Sequence, residues 1–372
     1  MSRGSLPDFP WDRLTPVKDA ALAAAGVDGL VDLSVGTPVD PAPAVVQAAL
    51  AAAADAPGYP LTSGTAALRE AIADFLSTRF AIAGLKPAAV LPTIGSKELV
   101  AWLPTLLGLG AGDVLAHPAL AYPTYDVGAR LAGATPVPAD DPDELDRAAA
   151  VGPVRVVWVN SPANPTGRVL DPSRLAALVS WARANDAVLV SDECYAEFGW
   201  EVEPVSVLHP DVCGGSHQGL LVVQSLSKRS NLAGYRAGFL AGDGGVVAEL
   251  LEVRKHTGMM VPAPVQAAMI AALTDADHVR VQRERYAQRR QLLRAALEET
   301  GYRVEHSEAG LYLWTTRDED CWDTVRRLAG HGILVAPGEF YGTAGRRHVR
   351  VALTATDERI AAAAARLRAK ST

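Results

Sequence analysis

Between about residues 40 and 260, helical patterns rich in Ala and Leu alternate with short runs of β-branched residues. This alternation is typical of a parallel sheet with helices on both faces. The clearest predicted strands are "VRVVWV" before Asn160, "AVLVS" before Asp192 and "GLLVVQS" before Lys228. Each run ends in polar residues, and ligands bind at the carboxyl ends of strands in such sheets. We therefore expect one crevice to collect side chains from all three strand ends.

The pattern changes after Pro262 to a long charged helix and then to shorter strands such as "GLYLWTT" and "RHVRVAL". We therefore predict an α/β protein with a large, mostly parallel domain over 40–262. A smaller α+β domain is expected over 263–372, including a long interdomain helix, and residues 1–39 are assigned to a segment that joins it. The 372 residues, 49% of them hydrophobic, are enough to bury both cores.

Charge and composition exclude several classes of protein. The formal net charge of −7 argues against a protein that binds nucleic acid by neutralising phosphates. The sequence has no signal-peptide pattern and no apolar run of about 18 residues, which predicts a cytoplasmic protein without a membrane span. Cys194, Cys213 and Cys321 form no C-x-x-C pair, and no histidine cluster is present, so we expect neither a disulfide framework nor a metal site.

Lys228 lies in a polar stretch, "QSLSKRSNLAGYRAG", between two apolar runs. Three interpretations are open: a solvated charge, the base of a serine acyl-enzyme, or an amine that forms an imine with a cofactor. The acyl-enzyme motif S-x-x-K is present but requires S-D-N and K-T-G elements elsewhere. The nearest stretches, "SDE" and "KHTG", match neither.

The imine interpretation accounts for more of the surrounding residues. A lysine bound to pyridoxal phosphate needs an anion beside the ring nitrogen and donors to the phenolate oxygen. Asp192 ends a buried strand, where a carboxylate needs a partner, although it could instead cap a helix. Asn164, in "NSPANPTG", could donate to the phenolate oxygen together with Tyr195, and the same Asn-Pro pair could simply form a turn.

The cofactor's phosphate requires a clamp, and two stretches offer one. Gly95 comes directly before the predicted helix "SKELVAWLPTLL", which starts with Ser96 and Lys97. The first amide groups of this helix form an anion site, although Ser96 could be only a helix cap. The remaining candidates follow the third strand and are Ser225, Ser227 and Arg236.

These motifs together resemble the pyridoxal-phosphate-dependent class I/II aminotransferases of fold type I. "SLSKRSNLAGYRAG" is similar to the family's lysine and phosphate-arginine motif, "NSPANPTG" to its asparagine motif and "SDECYAEF" to its D-E-x-Y motif. The resemblance implies that Lys228, Asp192 and Tyr195 are catalytic. It also implies roles for four further residues: Tyr122 stacks on the ring, Gly36 lies near the substrate, Arg350 holds the α-carboxylate, and Tyr59 reaches the phosphate of the neighbouring subunit in a homodimer.

A narrower resemblance concerns the substrate. "LPDFPWDRL", "GYPLTSGT" and "GMMVPAPVQAAMIAAL" look like stretches of actinobacterial succinyldiaminopimelate aminotransferases. This implies transfer of an amino group from N-succinyl-LL-2,6-diaminopimelate to 2-oxoglutarate in lysine biosynthesis. The alternatives are transamination of another amino acid, of the aspartate, aromatic or alanine type, and a β-lyase or decarboxylase reaction. A cofactor-binding sensor of a transcription regulator would need a separate DNA-binding domain. We do not expect one, because the catalytic pattern begins close to the start of the sequence and the chain is acidic.

Overall fold

The structure is a computed structural model that describes residues 6–369. Its strands, numbered in chain order, are β1 (Val31–Asp32), β2 (Val90–Ile94), β3 (Val114–His117), β4 (Thr135–Pro138), β5 (Val154–Asn160), β6 (Val188–Asp192), β7 (Leu220–Ser225), β8 (Ala237–Gly242), β9 (Arg303–Glu305), β10 (Tyr312–Thr316), β11 (Ile333–Leu334), β12 (Ala336–Pro337) and β13 (His348–Ala352). The α-helices, numbered likewise, are α1 (Thr15–Ala25), α2 (Ala44–Ala52), α3 (Ala66–Phe80), α4 (Gly95–Leu106), α5 (Thr124–Ala132), α6 (Pro142–Ala149), α7 (Pro172–Ala184), α8 (Pro210–Cys213), α9 (Leu226–Arg229), α10 (Gly244–Thr257), α11 (Ala263–Thr274), α12 (Asp277–Glu299), α13 (Cys321–Ala329) and α14 (Asp357–Ala369).

The large domain is built on a seven-stranded sheet in the order β2-β8-β7-β6-β5-β3-β4. Strand β8 runs antiparallel to both its neighbours, β2 and β7, while the other pairs are parallel. The strand sequences are almost continuously apolar because helices cover both faces of the sheet. In β5, for example, Val157 packs against the core that contains α3 and α7, and Trp158 packs against the core beside α4 and α5.

The strand register brings the polar strand ends to one edge of this sheet. Asn160 of β5 pairs with Asp192 of β6, and Asp192 pairs in turn with Val223 of β7, two residues before Ser225. Ser225 pairs with Gly238 of the antiparallel β8, so that Arg236, just before β8, lies at the same edge. The sheet therefore gathers side chains that are distant in sequence.

The small domain has its own core beneath an antiparallel sheet in the order β12-β13-β10-β9. The long helix α12 contributes Tyr286 and Leu293 to that core, and α14 contributes Leu367. The N-terminal segment packs there as well, since Leu14 is part of the core and β1 pairs in parallel with β11. Both ends of the described chain thus contribute to one domain.

The domain boundary differs from the sequence-based division. Helix α11 was assigned to the small domain, but Ala268, Met269 and Ala272 pack in the large-domain core with α2 and α3. The division at residues 262 and 263 therefore falls one helix too early. The physical reason is that an apolar helix face does not show in the sequence which of two cores it covers.

The described helices were also compared with the length and hydropathy that a bilayer requires. Within residues 6–369, none is both long and apolar enough to span a membrane.

Candidate active site

Lys228 lies one turn beyond the end of β7, in the short helix α9. Ser225 caps this helix, because its Oγ accepts a hydrogen bond from the backbone N–H of Ser227 at 3.1 Å. The Lys228 Nζ donates a hydrogen bond to the backbone oxygen of Gly36. Burial lowers the pKa of Lys228 below its usual value, and the positive charges of Arg350 and Arg236 act in the same direction. More of the amine is therefore neutral, as a nucleophile requires.

Asp192 is the last residue of β6 and is only 7% exposed. The phenol of Tyr125 donates a hydrogen bond to its Oδ2 at 2.9 Å, and the backbone N–H of Cys194 donates to its Oδ1 at 3.2 Å. No helix begins directly after Asp192, where the chain forms a turn, so the helix-capping alternative is wrong. These hydrogen bonds do not remove the effect of burial, which raises the pKa of Asp192. No cation of residues 6–369 forms an ion pair with this carboxylate. A protonated ring nitrogen would supply the missing partner.

A hydrogen-bonded chain leads from the sheet edge to Arg350. Asn160 donates from Nδ2 to the backbone oxygen of Asp192 at 2.9 Å, and its Oδ1 accepts from the backbone N–H of Asn164 at 2.8 Å. The side-chain oxygen of Asn164 accepts from Arg350 at 2.8 Å. That orientation leaves the Nδ2 of Asn164 as a donor, which is the group a phenolate oxygen needs.

Arg350 lies on β13 and is 3% exposed. One of its terminal nitrogens donates to Asn164 and the other to the backbone oxygen of Ser34 at 2.8 Å, while Nε has no partner. Its guanidinium carbon lies 4.0 Å from the ring centre of Tyr312 and 4.9 Å from that of Tyr341. A buried guanidinium surrounded by neutral groups is suited to bind a carboxylate.

Tyr195 and Tyr312 form a pair of buried phenols whose oxygens are 2.9 Å apart. Burial raises the pKa of Tyr195 well above its usual range. Burial also acts to raise the pKa of Tyr312, but the charges of Arg350 and Lys228 outweigh it and lower that pKa. Gly36 completes this region, because a Cβ there would lie 2.7 Å from two ring carbons of Tyr312.

The candidate anion site lies at the start of α4. A Cβ on Gly95 would lie 2.9 Å from the guanidinium carbon of Arg236, so the absence of a side chain makes room for that group. Arg236 donates to the backbone oxygen of Ala233 at 2.8 Å and has no carboxylate partner among residues 6–369. Ser96 follows Gly95 in the first turn, where the amide groups of α4 are free to bind an anion. The Lys97 ammonium instead lies 5.5 Å from the ring centre of Phe9. Lys97 would therefore contribute its backbone amide, and not its side chain, to an anion at this helix start.

The two remaining candidates differ in exposure. Tyr122 is half-buried next to Tyr125, with ring centres 6.0 Å apart and the rings nearly perpendicular. Tyr59 is 98% exposed, and its predicted contact with a neighbouring subunit stays a prediction.

Two residues of this region were missed by the sequence analysis. Tyr125 binds Asp192 and stacks on Trp158 with ring centres 4.8 Å apart. It is the second tyrosine of "AYPTY", so its spacing of three from Tyr122 was the available signal. Tyr312 carried no such signal, because an aromatic residue in the strand "LYLW" is ordinarily part of a core.

The site fits pyridoxal phosphate on observations of this chain alone. A buried carboxylate without a cation, a buried amine with a lowered pKa, and an arginine beside a helix start meet the needs of its ring nitrogen, its aldehyde and its phosphate. The roles of the individual residues remain proposals.

Comparison with known proteins assigns the chain to a family. The family "Aminotransferase class I and II" matches residues 28–367. The chain is 62% identical to the 4-dedimethylamino-4-oxo-anhydrotetracycline transaminase OxyQ of Streptomyces rimosus, over 97% of this chain and 99% of that protein. It is 31% identical to an LL-diaminopimelate aminotransferase of Oleidesulfovibrio alaskensis, over 98% and 96%.

A solved aminotransferase of Neisseria meningitidis has the same architecture, with a TM-score of 0.89 at 30% identity, covering 99% of this chain and 98% of that one. The predicted α/β fold class and the predicted cofactor are thus confirmed, whereas the succinylated substrate is not tested by these relatives. The chain belongs to the class I and II aminotransferases, enzymes of fold type I that depend on pyridoxal phosphate.

Proposed function

We propose that this site transfers an amino group from an amino acid to a 2-oxo acid, with Arg350 holding the α-carboxylate of each in turn. The observation that carries the proposal is the guanidinium of Arg350, buried with an unpartnered Nε and without an anion among the described residues. Two parallel hydrogen bonds to a carboxylate would fix the substrate relative to Lys228.

Each residue of the site has a proposed task. Lys228 would hold the cofactor through Nζ and then, once released, accept the proton from the substrate Cα. Asp192 would keep a proton on the ring nitrogen, while Asn164 and Tyr195 would donate to the phenolate oxygen. The remaining contacts concern the phosphate and the ring: Gly95, Ser96, Lys97, Ser225, Ser227 and Arg236 for the phosphate, and Tyr122 for the ring face.

Bound pyridoxal phosphate supplies a ring that withdraws the electron pair left at Cα. The protein's own contribution is orientation, because a carboxylate fixed by Arg350 leaves the Cα–H bond, and not the bond to the carboxylate, in line for cleavage. That selection favours proton transfer over decarboxylation. We further propose a cytoplasmic homodimer in which the exposed Tyr59 reaches the neighbouring subunit's phosphate site, with Gly36 beside the substrate.

For the donor, we propose N-succinyl-LL-2,6-diaminopimelate, with 2-oxoglutarate as acceptor. The supporting features are the sequence stretches named above and the 31% identity to an aminotransferase of LL-diaminopimelate. A second candidate is amination of a bulky polycyclic ketone, favoured by the 62% identity to a transaminase of that chemistry.

A half-reaction screen of amino donors tests the first of these candidates. The cofactor-loaded enzyme is mixed with one donor at a time, and the absorbance of the bound cofactor is followed. We expect N-succinyl-LL-diaminopimelate to react faster than LL-diaminopimelate, aspartate or an aromatic amino acid. The narrow assignment is wrong if the succinylated donor is inert while another reacts, and the β-lyase alternative is favoured if pyruvate and ammonia form without an oxo acid.

Lys228→Ala tests the chemistry independently of substrate. We expect this variant to lose the borohydride-reducible link to the cofactor, measured by intact-protein mass, because residues 6–369 offer no other amine at this position. Lys255→Ala is the control, since Lys255 is exposed and paired with Glu252 at 2.6 Å. Retention of the link in Lys228→Ala would exclude the proposed role of Lys228.

A further inference from the structure

We infer that Tyr312 is a positioning residue that strengthens the hydrogen bond Tyr195 donates to the cofactor's phenolate oxygen. The inference rests on the proposed function and adds a residue to which neither the motifs nor the family resemblance gave a role. It rests on the position of Tyr312, whose hydroxyl contacts Tyr195, the proposed donor to the cofactor, and whose ring contacts Arg350, the proposed carboxylate ligand.

Tyr312 is the first residue of β10 and is buried. Its hydroxyl lies 2.9 Å from that of Tyr195, and the two rings meet at 68° with centres 5.6 Å apart. A phenylalanine would fill the same volume and make the same ring contacts. What the hydroxyl adds is therefore its hydrogen bond to Tyr195.

The direction of this hydrogen bond follows from the proposed task of Tyr195. If Tyr195 gives its proton to the phenolate oxygen, its own oxygen must accept the proton of Tyr312, since each phenol has one proton to donate. Hydrogen bonds that run in one direction polarise one another, so a donated bond from Tyr312 makes Tyr195 the stronger donor. Tyr312 thus acts on the cofactor through Tyr195.

The surroundings of Tyr312 make its phenol the more acidic of the two, and the hydrogen bond that it shares with Tyr195 contributes to this difference. The Arg350 guanidinium lies 4.0 Å from its ring centre and Lys228 lies nearby, and together they lower the pKa of Tyr312 despite its burial. A more acidic phenol is the better donor. The other titratable groups of the described chain that interact with Tyr312 are Tyr195, Cys194, Tyr122, Tyr341 and Tyr286.

Space for the hydroxyl is provided by Gly36. A Cβ at this position would overlap both the ring and the oxygen of Tyr312. The backbone oxygen of Gly36 also accepts the hydrogen bond from Lys228. Gly36 therefore leaves room for Tyr312 and also contacts the amine of Lys228.

Tyr312→Phe in the cofactor-loaded enzyme tests the inference. A donor to the phenolate oxygen makes that oxygen less basic, so weakening the donor should raise the pH midpoint of the absorbance change of the bound cofactor. We expect an increase of roughly 0.5 pH unit, in the same direction as Tyr195→Phe but smaller, since the effect is indirect. The double variant should match Tyr195→Phe alone. Tyr302→Phe, a buried phenol of the small domain outside the site, is the control and should leave the midpoint unchanged.

The outcomes separate this inference from the proposed function. A midpoint unchanged in Tyr312→Phe but raised in Tyr195→Phe overturns the role of Tyr312 and leaves the proposed function standing. Additive shifts in the double variant overturn it as well. If Tyr195→Phe has the same midpoint as the wild-type enzyme, the proposed task of Tyr195 is contradicted and the inference about Tyr312 falls with it.

A second measurement needs no cofactor. Tyrosinate absorbance of the apoprotein should show one phenol that ionises below the usual pH of about 10 in the wild type and is absent in Tyr312→Phe. Circular dichroism establishes that the variant is folded. Identical tyrosinate titrations of the two folded proteins would contradict the assignment of the donor role to Tyr312.

Discussion

Arg254 and Arg350 are both buried arginines, and they differ in what they contact. Arg254 is paired with Glu98 through two hydrogen bonds of 3.0 and 3.2 Å, so its charge is balanced by the protein. Arg350 contacts an amide oxygen, a backbone oxygen and two aromatic rings. A buried charge without a protein anion needs a ligand, and this distinction between the two arginines is visible only in the structure.

Arg350→Lys tests whether Arg350 binds the substrate carboxylate. The variant keeps the charge but loses the planar fork that binds both carboxylate oxygens. We expect the half-saturating concentrations of donor and oxo acid both to rise about 10- to 100-fold, measured in separate half-reactions. Arg303→Lys, at an exposed arginine of β9, should change neither. Unaltered affinity for both substrates would show that Arg350 does not hold the carboxylate.

The end of β6 shows how one element separates two tasks. Asp192 points to the proposed cofactor site, whereas Glu193, the next residue, points away and accepts hydrogen bonds from Ser206 and from the backbone of Val207. Burial raises the pKa of Glu193 to about 7. Asp192 therefore belongs to the candidate site, whereas its neighbour Glu193 stabilises the surrounding fold.

The raised pKa of Glu193 predicts that the stability of the protein depends on pH. Folding raises the pKa of Glu193, so the protonated carboxyl favours the folded state. This contribution of Glu193 to stability is complete below about pH 4.5 and is lost as the pH rises through about 7. Between pH 5 and 8, the free energy of urea unfolding of the apoprotein should fall by about 2 kcal/mol more in the wild type than in Glu193→Gln. Parallel pH profiles for the two proteins would contradict a buried, protonatable Glu193.

The start of α4 supplies a second prediction at this scale. Gly95→Ala would place a Cβ against the Arg236 guanidinium, at a residue whose φ is +69°. We expect the dissociation constant of pyridoxal phosphate to rise about 10-fold or more, measured by fluorescence titration, because the anion site is displaced. Gly84→Ala is a matched control, since Gly84 has φ +75° with open space around it. Equal losses in both variants would indicate backbone strain alone.

Strand ends were predictable from the sequence because a buried strand is a continuous apolar run that stops at a polar residue. The runs before Asn160, Asp192 and Lys228 correspond to β5, β6 and β7, and the structure brings their ends to one edge. Tyr312 and the placement of α11 were not predictable. Both depend on which surfaces meet in three dimensions, and an apolar pattern does not encode its partner.

Across the whole molecule, Arg289 links the two domains. From α12 it binds Asp40, just before α2, through two hydrogen bonds of 2.8 Å, and it binds Asp357 of α14 at 2.6 Å. Arg289→Gln would leave Asp40 largely buried without its main partner. We expect the free energy of unfolding to fall by about 3 kcal/mol. Arg280→Gln on the same helix, where the ion pair with Glu284 is exposed, should cost less than about 1 kcal/mol by the same urea titration.

The proposed carboxylate site joins two segments that are far apart in the sequence. Arg350 donates to the backbone oxygen of Ser34, and the N–H of Ala352 donates to Leu33, so residues about 316 positions apart complete one contact. During synthesis, the residues proposed to hold the cofactor emerge well before Arg350 does. A nascent chain could thus assemble its proposed cofactor site early, yet it could not bind a substrate carboxylate through Arg350 until that residue had left the ribosome.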